Sequence, residues 1–123
     1  MPTKDEHLAS ARTNEEYGEW ILSNGAGRFA EWAVVAWFYA AVHYGRAYLA
    51  AKTTPTVITS HPAFDSHFQR ATGDPMLYDH HRRLKDESER ARYDCVLYSA
   101  DDARELREKE LFPFKEGILE LLK

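Results

Sequence analysis

The sequence predicts an all-α fold, an antiparallel up-and-down bundle of four to five helices, and three observations predict it. The segment 28–52 is rich in Ala, Trp, Phe, Tyr and Leu on all sides, and a helix that is apolar all round lies at the centre of a fold. Leu77, His81, Leu84, Ser88, Ala91, Cys95 and Tyr98 follow one another in steps of four and three, the spacing that keeps one helical face against a partner. Strand signal is almost absent: Val57-Ile58-Thr59 reads as a short strand but has no partner segment.

The elements follow in order. A first helix is expected over 5–23, with Leu8, Ala11, Gly18, Ile21 and Leu22 near one face. Ser23-Asn24-Gly25-Ala26-Gly27 stops it, because Gly and Asn tolerate positive φ. The central helix over 28–52 ends at Thr53-Thr54-Pro55-Thr56, where β-branched residues and proline disfavour continuation. A short helix is expected from His61-Pro62, with Pro in its first turn. The third long helix starts at Asp74-Pro75, a cap residue followed by proline, and carries the seam just described. Ser99 with Asp102 resembles a capping box that opens a last helix. Leu111, Phe114, Ile118 and Leu121 continue its apolar stripe, and Pro113 predicts a kink or break within it.

These segments read as one domain over 1–123, a length at which a single core suffices. Sixteen basic against twenty acidic residues give a net charge of -4, a balance that does not favour a large nucleic-acid groove, because counterion release needs clustered cations. The lone Cys95 cannot form an internal disulfide. No signal-peptide pattern opens the chain. Only fourteen residues separate Glu31 from Arg46 in the most apolar stretch, too few for a membrane span of about 20. A cytoplasmic protein with no membrane association is expected.

The polar residues on the apolar helices are the ones with chemistry to explain. Tyr39, His43 and Arg46 lie at offsets of four and three and so share a face of the central helix. A histidine and an arginine in that setting need partners. They form either a structural hydrogen-bond network or a polar pocket for a phosphate or nucleotide. His81 sits on the seam and reads as a core histidine or as part of that pocket. Arg92, near the end of the same helix, is either a solvated ion-pair former with Glu89 or a ligand contact. His61, His67 and Arg70 cluster in the connection, and His80, His81, Arg82 and Arg83 form a run, but adjacent residues on a helix point apart. No metal or other cofactor site is expected. No Gly-rich phosphate loop, HExxH or GxSxG pattern is present, and no catalytic residue can be named.

The order of segments carries a resemblance. A helix reading AVVAWFYAAVHYGRAYLA at 33–50, a connection containing SHPAFDSH at 60–67, a long helix ending SERARYDC at 88–95 and a final Leu-rich helix resemble small prokaryotic HEPN-domain proteins over nearly the whole chain. The resemblance implies the four- to five-helix bundle and, commonly, a homodimer. It also implies a ribonuclease of toxin–antitoxin or defence systems, a nucleotide-binding module, or a partner of a nucleotidyltransferase. Ribonuclease members carry Arg, four to six residues, then His. Here Arg92 is followed at those distances by Leu97, Tyr98 and Ser99, and Arg90 by Cys95, Val96 and Leu97; no other arginine has a histidine there either. The expected function is therefore a non-catalytic HEPN module binding a nucleotide, RNA or a protein partner, with Tyr39, His43, Arg46, His81 and Arg92 as ligand-binding candidates. The alternative is an atypical metal-independent ribonuclease. Three tryptophans (Trp20, Trp32 and Trp37), seven tyrosines and six phenylalanines are a large aromatic load for so small a bundle. That load adds to the expectation of a homodimer through a helical face.

Overall fold

The computed structural model describes residues 2–52 and 61–123, with the side chains of 61–63 left aside. The expected helix stop at 53–56 and the short strand at 57–59 lie outside the described residues. All regular structure among the described residues is helical.

Helix α1 (Lys4–Asn24) begins in a full capping box. The Glu6 amide donates to Thr3 Oγ1 and the Thr3 amide to Glu6 Oε1, each over 3.1 Å, so two orphan donors of the first turn are satisfied at once. The helix closes where the Gly25 amide donates to the Ile21 carbonyl. The reversal that follows places Ala26, Gly27 and Phe29 at positive φ. Helix α2 (Ala30–Lys52) buries residues around its whole circumference, from Ala30 to Leu49. It alone is the centre of the bundle. The long helix after Pro75 does not share that place. That helix, α4 (Pro75–Tyr93), is amphipathic and buries only Leu77, His81, Leu84 and Ser88, so it flanks α2 with one face.

α1 runs antiparallel to α2. Gly18 lies against the Trp37 ring near one end of the pair, and His7 meets His43 near the other. Glu15 accepts from the Tyr44 hydroxyl and from Lys115 Nζ, tying α1 and α2 to the C-terminal helix. Helix α3 (His61–Thr72) starts where the His-Pro pair predicts and packs Phe64 and Phe68 against Gly45 of α2. Gly73, at φ 61°, turns the chain into α4, whose N-cap Asp74 accepts from the Met76 and Leu77 amides.

The seam of α4 does not continue to Tyr98. The helix ends at Tyr93, the Asp94 amide closes on the Arg90 carbonyl, and Cys95 turns left-handed at φ 55° with its thiol exposed. The Tyr98 hydroxyl then hydrogen-bonds the Glu87 carboxylate and carbonyl, which draws the segment 94–99 back along α4. Cys95 is therefore not a packing residue. The heptad spacing of positions 95 and 98 continues across a loop.

Ser99 and Asp102 form the expected capping box and open α5 (Ala100–Leu106). The same rod passes through a π turn (Arg107–Leu111) into α6 (Phe112–Leu121). The Phe112 amide donates to the carbonyl of Arg107, five residues back. Pro113 has no amide hydrogen to give and clashes with the carbonyl of an ordinary preceding turn, so the hydrogen-bond register slips by one residue just before it. The break expected at Pro113 takes this form. No helix among the described residues is long and apolar enough to cross a membrane.

Candidate functional site

The α1–α2 hairpin assembles a cationic cluster that no single segment contains. Tyr39, His43 and Arg46 share a face of α2, as their spacing predicts. The antiparallel path of α1 delivers His7, 36 residues away in sequence, to this face. His7 Nδ1 and His43 Nδ1 are 3.1 Å apart, with ring centroids separated by 5.4 Å and tilted by 35°. One ring must donate and the other accept on that line, so the pair shares one proton between its Nδ1 atoms.

Burial and charge both act on the pair. Burial is the main reason that each histidine is held below the ordinary imidazole pKa. The Arg46 guanidinium adds to the effect on His7, and His7 and Arg46 add to it on His43. Glu6 pulls His7 the other way, but its carboxylate is engaged in capping α1. Arg46 is itself half-buried. Its buried Nε has no hydrogen-bond partner among the described residues, and burial is the influence that shifts the pKa of the guanidinium downward. No carboxylate balances Arg46 among the described residues. A guanidinium partly withdrawn from water without a counter-ion carries a desolvation cost; it is also a receptor for an anion.

Tyr39 links this cluster to Arg92. Arg92 Nη1 donates to the Tyr39 hydroxyl over 3.3 Å, and its Nε donates to the Ser88 carbonyl over 3.3 Å. The guanidinium lies 5.8 Å from the Tyr39 ring centroid and 5.0 Å from that of Tyr93, whose side chain is exposed. Arg92 is thus held by tyrosines and a helix carbonyl, and the expected pairing with Glu89 is not among its contacts. Four of the five sequence candidates, Tyr39, His43, Arg46 and Arg92, therefore form one contiguous surface.

His81 does not belong to it. The ring is fully buried, 4.7 Å from Phe64, 5.6 Å from Phe114, 5.7 Å from Phe38 and 6.2 Å from Phe68 by centroid, with Asp65 at 3.9 Å. It packs α4 against α2, α3 and α6, as in the core alternative of its two sequence readings. His80, one residue earlier, points elsewhere: its Nδ1 is 2.7 Å from Oε2 of the buried Glu110 on the π turn, and Arg83 donates to Oε1 of the same carboxylate over 3.2 Å. His67 meets Arg70 on the exposed side of α3. Among the described residues no group of three or more His, Cys, Asp or Glu side chains converges.

His7 is the member of the cluster that the sequence reading passed over. A signal was there: position 7 lies four residues before Ala11 and on the same stripe as Gly18, Ile21 and Leu22, all of them buried. A histidine on the buried stripe of one helix and a histidine on the apolar helix that follows are candidates to meet. Searches against protein-family profiles, curated proteins and solved structures find no match to this chain.

Proposed function

We propose that the protein is a non-catalytic, HEPN-like helical module that binds the phosphate groups of a nucleotide or RNA at the α1–α2 hairpin. Arg46 and the His7–His43 pair receive the anion, and Tyr39 and Arg92 flank it. The observation that carries this reading is Arg46: a half-buried guanidinium beside two histidines, its Nε without an acceptor. A phosphate at the accessible side of that half-buried guanidinium balances its charge in a charge-assisted bond. The adjoining Arg92 and exposed Tyr93 offer planar surfaces suited to a base.

Fluorescence anisotropy with labelled decauridylate, with ATP as competitor, tests it. Charge-assisted bonds contribute about 1.5–3 kcal/mol, so Arg46→Ala is expected to weaken binding by about tenfold or more. Equal affinity in wild type and Arg46→Ala, or no binding by the wild type, contradicts the proposal.

A second reading rests on the histidine pair. A neutral imidazole is a general base near neutral pH, and the pair stands beside a cation suited to a phosphate, the parts an atypical metal-independent ribonuclease needs. Cleavage of structured RNA in EDTA, lost in His43→Ala, is the result that favours it over the binding module.

The same proposal includes a homodimer, with a nucleotidyltransferase as the further partner that the HEPN resemblance suggests. Tyr17 and Trp20 near the end of α1, and Phe29 and Trp32 at the start of α2, are each about half exposed or more, an apolar load suited to an interface. Trp37 takes no part in it, because it is fully buried. Light scattering after size exclusion is expected to give twice the 14.2 kDa chain mass; the chain mass at every concentration contradicts the dimer.

A further inference from the structure

The charge state of the His7–His43 pair determines what an anion at this site must do. In the uncharged pair one ring holds its proton on Nδ1 and donates it; the other holds its proton on Nε2 and accepts at Nδ1. One more proton, added at Nε2 of the donor ring, leaves the Nδ1–Nδ1 bond intact. A second places protons on both Nδ1 atoms and breaks it. The geometry therefore admits one extra proton, and the helices need not move to take it.

The surroundings keep that proton off in the free protein. From α2, Arg46 faces the pair as a fixed positive charge. From α1, Glu6 is the acidic group that acts on His7, and its Oε1 is bound to the Thr3 amide. From α4, Arg92 reaches only as far as the Tyr39 hydroxyl, one turn from His43. Among the described residues no carboxylate hydrogen-bonds either imidazole. An anion docked against Arg46 cancels its positive charge, and the cost of a charged imidazole falls with it.

We propose that anion binding at the α1–α2 hairpin is coupled to the uptake of one proton by the His7–His43 pair, an inference that rests on the phosphate-binding reading above. The ligand is a phosphate anion whose charge exceeds what Arg46 alone neutralises, and affinity falls as pH rises. The window follows from linkage. Below the pKa of the free pair, which lies under the ordinary histidine value of 6.5, the proton is already present and affinity is flat. Between the free and the ligand-bound pKa, affinity falls by up to about tenfold per pH unit for one proton. Above both it is flat again.

Titration calorimetry on the full chain tests this. The probe is decauridylate without terminal phosphates, whose phosphodiesters and bases do not titrate near neutral pH. Titrations at one near-neutral pH are run in two buffers of different protonation enthalpy, PIPES and imidazole. The expected result is a binding heat that changes with the buffer, with a slope of up to one proton taken up per site. That slope is expected to vanish in His7→Gln and in His43→Gln, and nitrogen-15 spectra of the wild-type imidazoles are expected to show one ring becoming imidazolium on binding. Wild-type binding with the same heat in both buffers overturns the proton coupling and leaves the phosphate-binding reading standing. A slope that persists in both folded variants overturns the assignment to this pair. An absence of binding overturns both the coupling and the reading beneath it.

Discussion

Gly18 of α1 tests how tightly the hairpin that builds the site is packed. A Cβ placed there falls 2.4 Å from Trp37 Cζ3, 2.6 Å from Cη2 and 2.9 Å from Cε3. Carbon atoms in contact sit at about 3.5–4.0 Å, so the ring must shift by about 1 Å. It has little room, because Trp37 is fully buried and its Nε1 donates to the Ala103 carbonyl over 2.9 Å. Overpacking costs about 1–3 kcal/mol, and weakening the indole hydrogen bond adds about 1 kcal/mol. The helix propensity of Ala over Gly returns about 1 kcal/mol. Gly18→Ala is thus expected to destabilise by about 1–3 kcal/mol, a fall in Tm of about 4–12 °C for a chain of this size. Gly117 in α6 is the control. Its added Cβ meets Leu77 Cδ2 at 2.4 Å, the end of a flexible side chain that can rotate away. Gly117→Ala is expected to stay within about 1 kcal/mol of wild type. Thermal melts followed by circular dichroism compare the two. A Gly18→Ala protein as stable as wild type, or a Gly117→Ala protein that is the less stable of the pair, refutes the packing argument.

Four further outcomes follow from other features of the structure. Folding holds His7 and His43 below the ordinary histidine pKa, so the unfolded chain binds more protons near pH 6.5 and below. The stability this represents is present above pH 6.5 and lost as pH falls through the folded pKa values; Tm is expected to drop on acidification, and less steeply in a His7→Gln, His43→Gln double variant. Cys95 is exposed at φ 55°, so its thiol is expected to react with Ellman's reagent in the native state without unfolding. Cys95→Gly is expected to stabilise by about 0.5–1 kcal/mol as left-handed strain is relieved, and an unchanged or lowered Tm counts against that. Glu110 is buried against His80 and Arg83, so Glu110→Ala is expected to cost about 1–3 kcal/mol. Arg83→Ala is expected to cost under about 1 kcal/mol, because that side chain is largely exposed; denaturant melts that reverse this order refute the assignment.

What was legible in the sequence was local. Apolar residues on every side of 28–52 announced the central helix, Asp74-Pro75 and Ser99 with Asp102 announced two helix starts, and Pro113 announced a break, because each acts through its own turn. The form of that break, a π turn over Arg107–Leu111, depends on the register of the whole rod. The end of α4 was misplaced because positions 95 and 98 keep the seam spacing, whereas the Tyr98–Glu87 contact that pulls the chain back is tertiary. The same limit applied to the site. Tyr39, His43 and Arg46 lie on one helix, so spacing alone places them together. Their link to Arg92 depends on how α4 crosses α2, and the pairing of His43 with His7 depends on the register of the hairpin. The seam position of His81 leaves a core role and a pocket role open, and the four phenylalanines around it come from three other helices, which spacing does not reveal.

The central claim is that the anion lands on Arg46 and the histidine pair. The most direct test is a nitrogen-15 titration of the protein with decauridylate that follows the Arg46 Nε–Hε signal, which reports a phosphate docking on the same guanidinium. The account predicts a saturable downfield shift of that signal, with His7 and His43 moving at the same midpoint. An Arg46 Nε–Hε signal that stays in place while the RNA binds contradicts it.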